Sequence, residues 1–446
     1  MALGQLPMEM ILELLPYLTP HDYFQLVLVC KSWYDLFIPH IYHRVMLPLN
    51  DFSAASYGQV CGGTDLPVRR LTHAVIEKPA LARLIHSLEI CFSVCEGGGH
   101  REPHKDEDAW LALLLVQVRN LEILKIALGE EKIEYGLNKT RTSSVHFEWV
   151  IHWASMPRLG ILPKLSHVSL IHGPAPWTIG TVGKGVALHR LIPFLRIPSM
   201  RELYVINPGD RVPLKLPKDV MFPVKHLDIA WPQEPLRNLP RLVERCPELE
   251  SFTLEQDYWH DETTHSLLDL SRLYQPLRVS RSSIRHLNLT FNGIRAWQDA
   301  EMPRPTFLGT LSDFSNLDSV HMRWSDLLPF RGQAAYHPIT SLSELLPSSL
   351  RHLHINDCLV QCMLALSCTL LRRVNIRFAM FVQQTGHGCL HCLMHHWRPS
   401  WPHQEIAAGT RLYRLHRDFN AFGVSLFICP AAMCVPFARD YAIRKK

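Results

Sequence analysis

Ile284-Arg285-His286-Leu287-Asn288-Leu289-Thr290-Phe291-Asn292 and Leu350-Arg351-His352-Leu353-His354-Ile355-Asn356-Asp357-Cys358 are built on one pattern. An apolar residue is followed after two positions by a second, and after one more by a third. The last two stand two apart with polar residues around them, the spacing of a strand that buries one face only.

The same triad recurs along the chain. Earlier copies are Ile85-Leu88-Ile90, Leu121-Leu124-Ile126, Leu165-Val168-Leu170, Met200-Leu203-Val205, Val224-Leu227-Ile229 and Leu249-Phe252-Leu254. Later ones are Leu317-Val320-Met322 and Leu371-Val374-Ile376. With 47% apolar residues, composition alone would produce many such triads. Three further features carry the reading. The interleaved positions are mostly polar. Turn residues precede many copies, as in Cys246-Pro247-Glu248 and Leu346-Pro347-Ser348-Ser349. The central anchors also recur at intervals of 21 to 44 residues. One strand with its return segment cannot bury its apolar side alone, but stacked units share a continuous core and a parallel sheet. Val186–Ile192, stopping before Pro193, and Leu236–Arg245 read as helical returns. Val424 to Ile428 reads as a closing strand.

If the triads point inward, the alternate positions line the opposite face. Early copies place Glu89, Lys125, His167, Glu202, Tyr204, His226, Asp228 and Glu255 there. Late copies place His286, Asn288, His321, Arg323, His352, His354, Asn356, Arg373, Asn375 and Arg377, with no acid among them. A recognition surface built on Arg323, His352, His354, Arg373 and Arg377 would suit an acidic or phosphorylated protein segment; the alternative is a solvated face whose charges bind nothing.

The first forty-five residues are patterned differently. Met10, Ile11, Leu14, Leu15 and Leu18 fall at helical spacing, with Pro16 ending a first helix near Leu15. Thr19-Pro20-His21-Asp22 carries N-cap chemistry for a second helix bearing Tyr23, Leu26, Val27, Val29 and Cys30. A third stretch, with Trp33, Leu36 and Phe37, is expected to stop before Pro39. Three short helices cannot bury all these side chains among themselves, and a large exposed apolar patch marks a partner.

This block resembles an F-box. The matching residues are Leu6-Pro7, Glu9, Ile11-Leu12, Leu14-Leu15, Leu18, Pro20, Asp22, Leu26, Val29-Cys30-Lys31 and Trp33, in one register without insertion. Tyr23 stands where the family usually has Leu. The resemblance implies docking onto the Skp-type linker subunit of a cullin-RING ubiquitin ligase through Leu6, Pro7, Ile11, Leu15, Leu18, Leu26, Val29, Cys30 and Trp33. The downstream triads resemble degenerate leucine-rich repeats, two of them extended by a terminal Asn292 or Cys358. The implied fold class is α/β: a three-helix F-box, then an irregular leucine-rich-repeat solenoid, or horseshoe, with a parallel sheet. The expected divisions are an F-box at 1–46, a linker at 47–84, a substrate-binding repeat domain at 85–430 and a C-terminal tail at 431–446. The implied function is substrate recognition for an SCF-type ligase, its linker reaching cullin and RING protein. The alternative is a scaffold working outside any ligase.

Composition and motifs exclude other classes. Lys and Arg total 46 against 41 Asp and Glu, a net +5, too near neutral for a general nucleic-acid or membrane-surface binder. No nucleophile elbow, Walker-type loop or zinc-protease motif is present, so no enzyme activity and no cofactor are expected. Cys389-x-x-Cys392 with His395 and His396, and Cys429 with Cys434 downstream, give only half of a zinc signature, and free thiols are the expected reading. Twelve cysteines at this length are too dilute for a disulfide scaffold, and the opening residues lack a basic leader, so cytoplasm or nucleus is expected. The uncharged stretch 421–438 approaches membrane-spanning length, but Pro430 and Pro436 make a buried strand with its closing turn the expected reading.

Overall fold

The apolar triads become the inner face of a parallel sheet. In a computed structural model, every residue of the first nine triads, from Ile85 to Ile355, is at most 3% exposed. The structure describes residues 8–48, 67–91, 105–128, 145–172, 185–210, 213–214, 216, 219–232, 236–257, 270–292, 307–329, 340, 342–358, 373–378 and 425–430. The tenth triad keeps its strand register, while Leu371 lies outside the described residues.

The chain divides into two compact units, Met1–Val212 with Phe222–Val224, and Pro213–Met221 with Lys225–Lys446. The first opens with helices α1 (Met8–Leu14), α2 (Pro20–Val27) and α3 (Lys31–His43). A single 3₁₀ turn over Leu15–Tyr17 absorbs Pro16. Contrary to the sequence reading, α3 runs through Pro39. Proline there removes one helical hydrogen bond, to Asp35, and the packing of Phe37, Ile38 and Ile41 carries the helix on.

Strand β1 (Arg44–Pro48) follows α3 without a break and pairs with β2 (Ser87–Cys91), Val45 opposite Leu88. The sheet continues in order through β3 (Ile123–Leu128), β4 (His167–His172) and β6 (Glu202–Ile206), all parallel. A side pair joins β5 (Val186–Ala187) to β7 (Pro208–Gly209). Gly185 precedes it at φ +61°, where a Cβ would meet the Asn207 carbonyl at 2.5 Å. Of the segment read as a connector, 49–66 lies outside the described residues, but 67–84 is built into the unit. Its α4 (Pro67–Glu77) buries Val68, Thr72 and Val75, and α5 (Pro79–Ala82) buries Leu81 and Ala82. Next come α6 (Lys105–Gln117) and α7 (Val145–Ala154). The Asp108 carboxylate of α6 accepts the His146 and Phe147 N–H groups at 2.7 and 3.0 Å, filling donors that every helix start leaves open. The return after β5 is a 3₁₀ turn and α8 (Ile192–Leu195), with Pro193 in its first turn rather than beyond its end.

The second unit repeats the plan with β8 (His226–Ala230), β9 (Ser251–Asp257), β10 (His286–Asn292), β11 (Ser319–Arg323), β12 (His352–Cys358), β13 (Arg373–Phe378) and β14 (Ser425–Pro430). Each pairs in parallel with the next, and β14 is the closing strand expected from the sequence. The returns are short: α9 (Leu239–Val243), α10 (Ser271–Arg278), α11 (Trp324–Leu327) and α12 (Leu342–Leu345).

A polar ladder runs just ahead of the strands. Ser199 Oγ donates to the Leu165 carbonyl at 2.8 Å, Ser283 Oγ to Leu249 at 2.9 Å and Ser349 Oγ to Leu317 at 2.8 Å. Each bond ties one repeat to its predecessor and satisfies a carbonyl that the turn would otherwise orphan.

Candidate partner-binding surfaces

The N-terminal block has a very small core of its own. Ile11, Val27 and Phe37 are buried, and Leu15, Leu18, Tyr23, Leu26, Trp33 and Leu36 pack against them while half-exposed. The geometry around this core is well specified. Thr19 and Asp22 form a capping box, Asp22 N–H donating to Thr19 Oγ1 at 3.3 Å and Thr19 N–H to Asp22 Oδ2 at 2.8 Å. The Thr19 hydroxyl, donating to Asp22 Oδ2 at 2.6 Å, and then the Thr19 N–H hold the Asp22 carboxyl below the usual carboxylate range. Tyr23 Oη donates to the Leu15 carbonyl at 2.6 Å, and Trp33 meets Phe37 edge-on at 5.9 Å.

A second set of apolar side chains faces outward. Tyr17 is 83% exposed, Leu28 67% and Val29 63%, with Met10, Leu14, Phe24 and Tyr34 also exposed. Met10, Leu14 and Tyr17 precede Ile11, Leu15 and Leu18 by one position each, so the first helix and its 3₁₀ turn are apolar on two faces. One face covers the core and the other faces solvent.

The sequence-chosen residues therefore separate by role. Ile11 is core. Leu15, Leu18, Leu26 and Trp33 flank the core with part of their surface open. Val29 and Cys30 are exposed. Leu6 and Pro7 lie outside the described residues. Met10, Leu14, Tyr17, Phe24, Leu28 and Tyr34 were missed, although helical spacing alone assigns them a second stripe.

The sheet face opposite the core is polar in both units. In the first unit it is crossed by ion pairs of Glu89 with Arg44 at 3.4 Å and with Lys125 at 3.8 Å, and His167 Nε2 lies 3.2 Å from Glu202 Oε1. In the second, register lines up Asp228, Thr253, Asn288, His321, His354 and Asn375 across successive strands. The His321 and His354 rings are 3.8 Å apart. His352 is exposed at the start of the neighbouring row, opposite Arg373. Arg373 and Arg377 are placed by backbone register alone, Arg377 opposite Cys429.

Arg323 has an acidic partner that a strand-only view omits. Its Nε and Nη2 donate to Asp326 Oδ2 and Oδ1 at 2.6 and 3.0 Å, a bidentate pair in which the Asp326 side chain is 0% exposed. Burial pushes the Asp326 carboxyl above the usual range, and Arg323 pulls against that shift. Asn288 Oδ1 and Thr290 Oγ1, on the same polar face, are buried with no hydrogen-bond partner among the described residues.

Two family models match the chain. One, for an F-box-like domain, covers residues 3–48. The other, for a leucine-rich repeat domain, covers residues 156–374. The chain is an F-box and leucine-rich-repeat protein. No curated protein matches it. The strands at Ser87–Cys91 and Ile123–Leu128 show that the repeat pattern of this F-box/leucine-rich-repeat protein begins ahead of the matched range. Both domains are interaction domains of a typically non-catalytic kind.

Among the described residues no three His, Cys, Asp or Glu side chains are grouped to hold a metal. Cys389, Cys392, His395, His396 and Cys434 lie outside the described residues. Among the described residues no helix is long and apolar enough to cross a membrane.

Proposed function

We propose that the protein is a substrate-recognition adaptor of an SCF-type ubiquitin ligase. The F-box would hold a Skp-type linker and, through it, cullin and RING protein. The repeat domain would hold a target protein. The observation that carries the reading is the second apolar face of the N-terminal block: Tyr17, Phe24, Leu28 and Val29 are exposed beside a core of three buried side chains. Desolvating such anchors supplies most of the energy of a protein interface. Target transfer would then be positional, through a raised effective concentration beside a ubiquitin-loaded enzyme.

On the repeat domain, the polar face of the second unit is the client surface, with His352, His354, Arg373 and Arg377 as its cationic side and an acidic or phosphorylated segment as its ligand. Arg323 joins this surface as a donor whose charge Asp326 already balances.

The test is co-purification of the full chain with a Skp-type linker and a cullin. Leu28→Asp and Val29→Asp should each weaken linker binding by about 2 kcal/mol or more without unfolding the block. Linker binding without cullin would favour a scaffold outside any ligase. Unchanged linker binding by both variants would refute the docking surface.

A further inference from the structure

The repeat helices of the first unit carry an apolar surface that neither the F-box nor the polar sheet face uses. Ile76 of α4, Leu113 of α6, Trp149 and Trp153 of α7, and Met156 and Leu159 just beyond it are between 40% and 53% exposed. The three helices lie side by side. Thr72 Oγ1 of α4 donates to the Trp110 carbonyl of α6 at 3.2 Å, and Asp108 of α6 caps α7. The inward faces of these helices are complete without the six, since Val68, Val75, Leu114, Leu115, Val150 and Ile151 fill the space beneath. Trp149 and Trp153, four apart, add indole surface to one stripe, and the His146 ring braces Trp149 edge-on at 5.5 Å.

Among the described side chains, exposed cations outnumber exposed acids around this surface. Among the described side chains of α4, α6, α7 and the segment to Lys164, the exposed cations are Arg69, Arg70, Arg158 and Lys164. Arg69 lies over the Trp110 ring at 5.5 Å, against which His73 also packs at 4.8 Å. Glu77 is the exposed acid of the same set, and Glu148 is paired with Arg190.

We infer that this surface docks an acidic amphipathic helix of a partner protein. The charge argues against a second copy of the chain, which would set cations against cations. The exposure argues against a lipid surface. Each side chain is about half covered, whereas interfacial anchors bury their apolar face roughly 5–10 Å deep. Exposed apolar side chains with two indoles, on segments that also carry a surplus of exposed cations, match a helix with apolar anchors at i, i+3, i+4 and i+7 and carboxylates on its flanks. The inference is independent of the ligase reading.

The test uses the full-length protein as bait for a displayed library of random linear peptides, with affinities of the selected peptides read by fluorescence anisotropy. Acidic sequences with helical apolar spacing should be enriched, and should bind Trp149→Ala/Trp153→Ala about tenfold or more weakly. Arg69→Glu/Arg158→Glu should weaken them too and flatten the salt dependence of binding. Circular dichroism of both variants should match the parent, because the substituted side chains are exposed or half-covered. Selection of no peptide, or only of peptides that bind the Trp variant equally well, would overturn the inference. So would Trp-dependent sedimentation with phosphatidylserine vesicles in place of peptide binding.

Discussion

Replacing Arg323 with Met should cost the second unit about 3–5 kcal/mol at neutral pH, chiefly through the carboxylate it leaves behind. Asp326 is 0% exposed and holds Arg323 through two hydrogen bonds. At about 3 Å and an effective dielectric constant near 20, the attraction is roughly 5 kcal/mol, and desolvation of the two groups cancels much of it. The pair therefore adds little over a well-packed apolar pair, while half a pair is expensive. The two halves are not equivalent. Asp326→Asn leaves a guanidinium whose edge reaches the polar face, so its cost should be smaller. Arg323→Met leaves a sealed carboxylate. Because burial already raises the Asp326 pKa, the folded state keeps that proton to higher pH than the unfolded chain. The penalty is then absent at acid pH and grows as pH rises through the native pKa. Denaturant unfolding, with hydrogen exchange of the β11 and β12 amides, should show the Arg323→Met deficit shrinking as pH falls toward about 4. The double variant Arg323→Met/Asp326→Leu should return to within about 1–2 kcal/mol of the parent. A pH-independent deficit, a loss below about 1 kcal/mol, or a double variant equal to the sum of its halves would refute the reasoning.

Thr19→Ala should lower the thermal stability of the N-terminal block by about 1 kcal/mol, since it removes a capping box. Tyr23→Phe should cost about a further 1 kcal/mol, because the Leu15 carbonyl loses the shorter of its two hydrogen bonds and keeps the one from Leu18 N–H. Leu289→Ala, at a triad position 0% exposed, should cost about 2–5 kcal/mol in denaturant unfolding of the second unit. Under native conditions iodoacetamide should label Cys30 and spare Cys246, whose thiol is buried and pushed up to about 12.

The strands were legible because period two survives irregular spacing. Leu88, Leu124 and Val168 stand in register although unequal intervals separate them. The returns were less legible. The segment 67–77 was read with the Ser-, Gly- and Thr-rich stretch 51–67 as one connector, yet its Thr72 hydroxyl donates to the Val68 and Trp110 carbonyls and is at home in the core. Pro39 and Pro193 were read as stops, but one sits where packing outweighs a single lost bond and the other in a first turn, where no N–H is needed. Asp326 escaped notice because acids were sought at strand positions, and it lies three residues past Arg323 in α11. The exposed apolar face of the N-terminal block was only half legible: sequence identifies apolar positions, but Ile11 faces inward and its neighbour Met10 outward.

The absence of a regular Asn or Cys ladder left uniform stacking of the repeats without a sequence-level cause, and the residues just ahead of the strands supply one. Lys225, Glu250, Arg285, Asp318 and Arg351 alternate in sign, one per repeat. The carbonyl of each of the first four accepts two N–H groups from the next repeat, as Lys225 does from Glu250 and Ser251 at 2.7 and 2.9 Å. Their side chains also meet, Lys225 with Glu250 at 2.7 Å and Arg351 with Asp318 at 3.4 Å. Lys225 holds the Glu250 carboxyl below its usual range, so this contribution is present at neutral pH and lost as pH falls through the lowered pKa. These groups are partly exposed, and each pair is worth at most about 1 kcal/mol. Their effect is on register rather than on total stability. Skipping one repeat would set two like charges on adjacent rungs at that point, while the triads alone would tolerate it. Glu250→Lys creates that clash at one point, with cations on three successive rungs. It should destabilise the second unit by about 1–2 kcal/mol, more than loss of one ion pair. High salt should recover most of the difference. A deficit that ignores salt would place the origin of the register in the triads and the hydroxyl ladder instead.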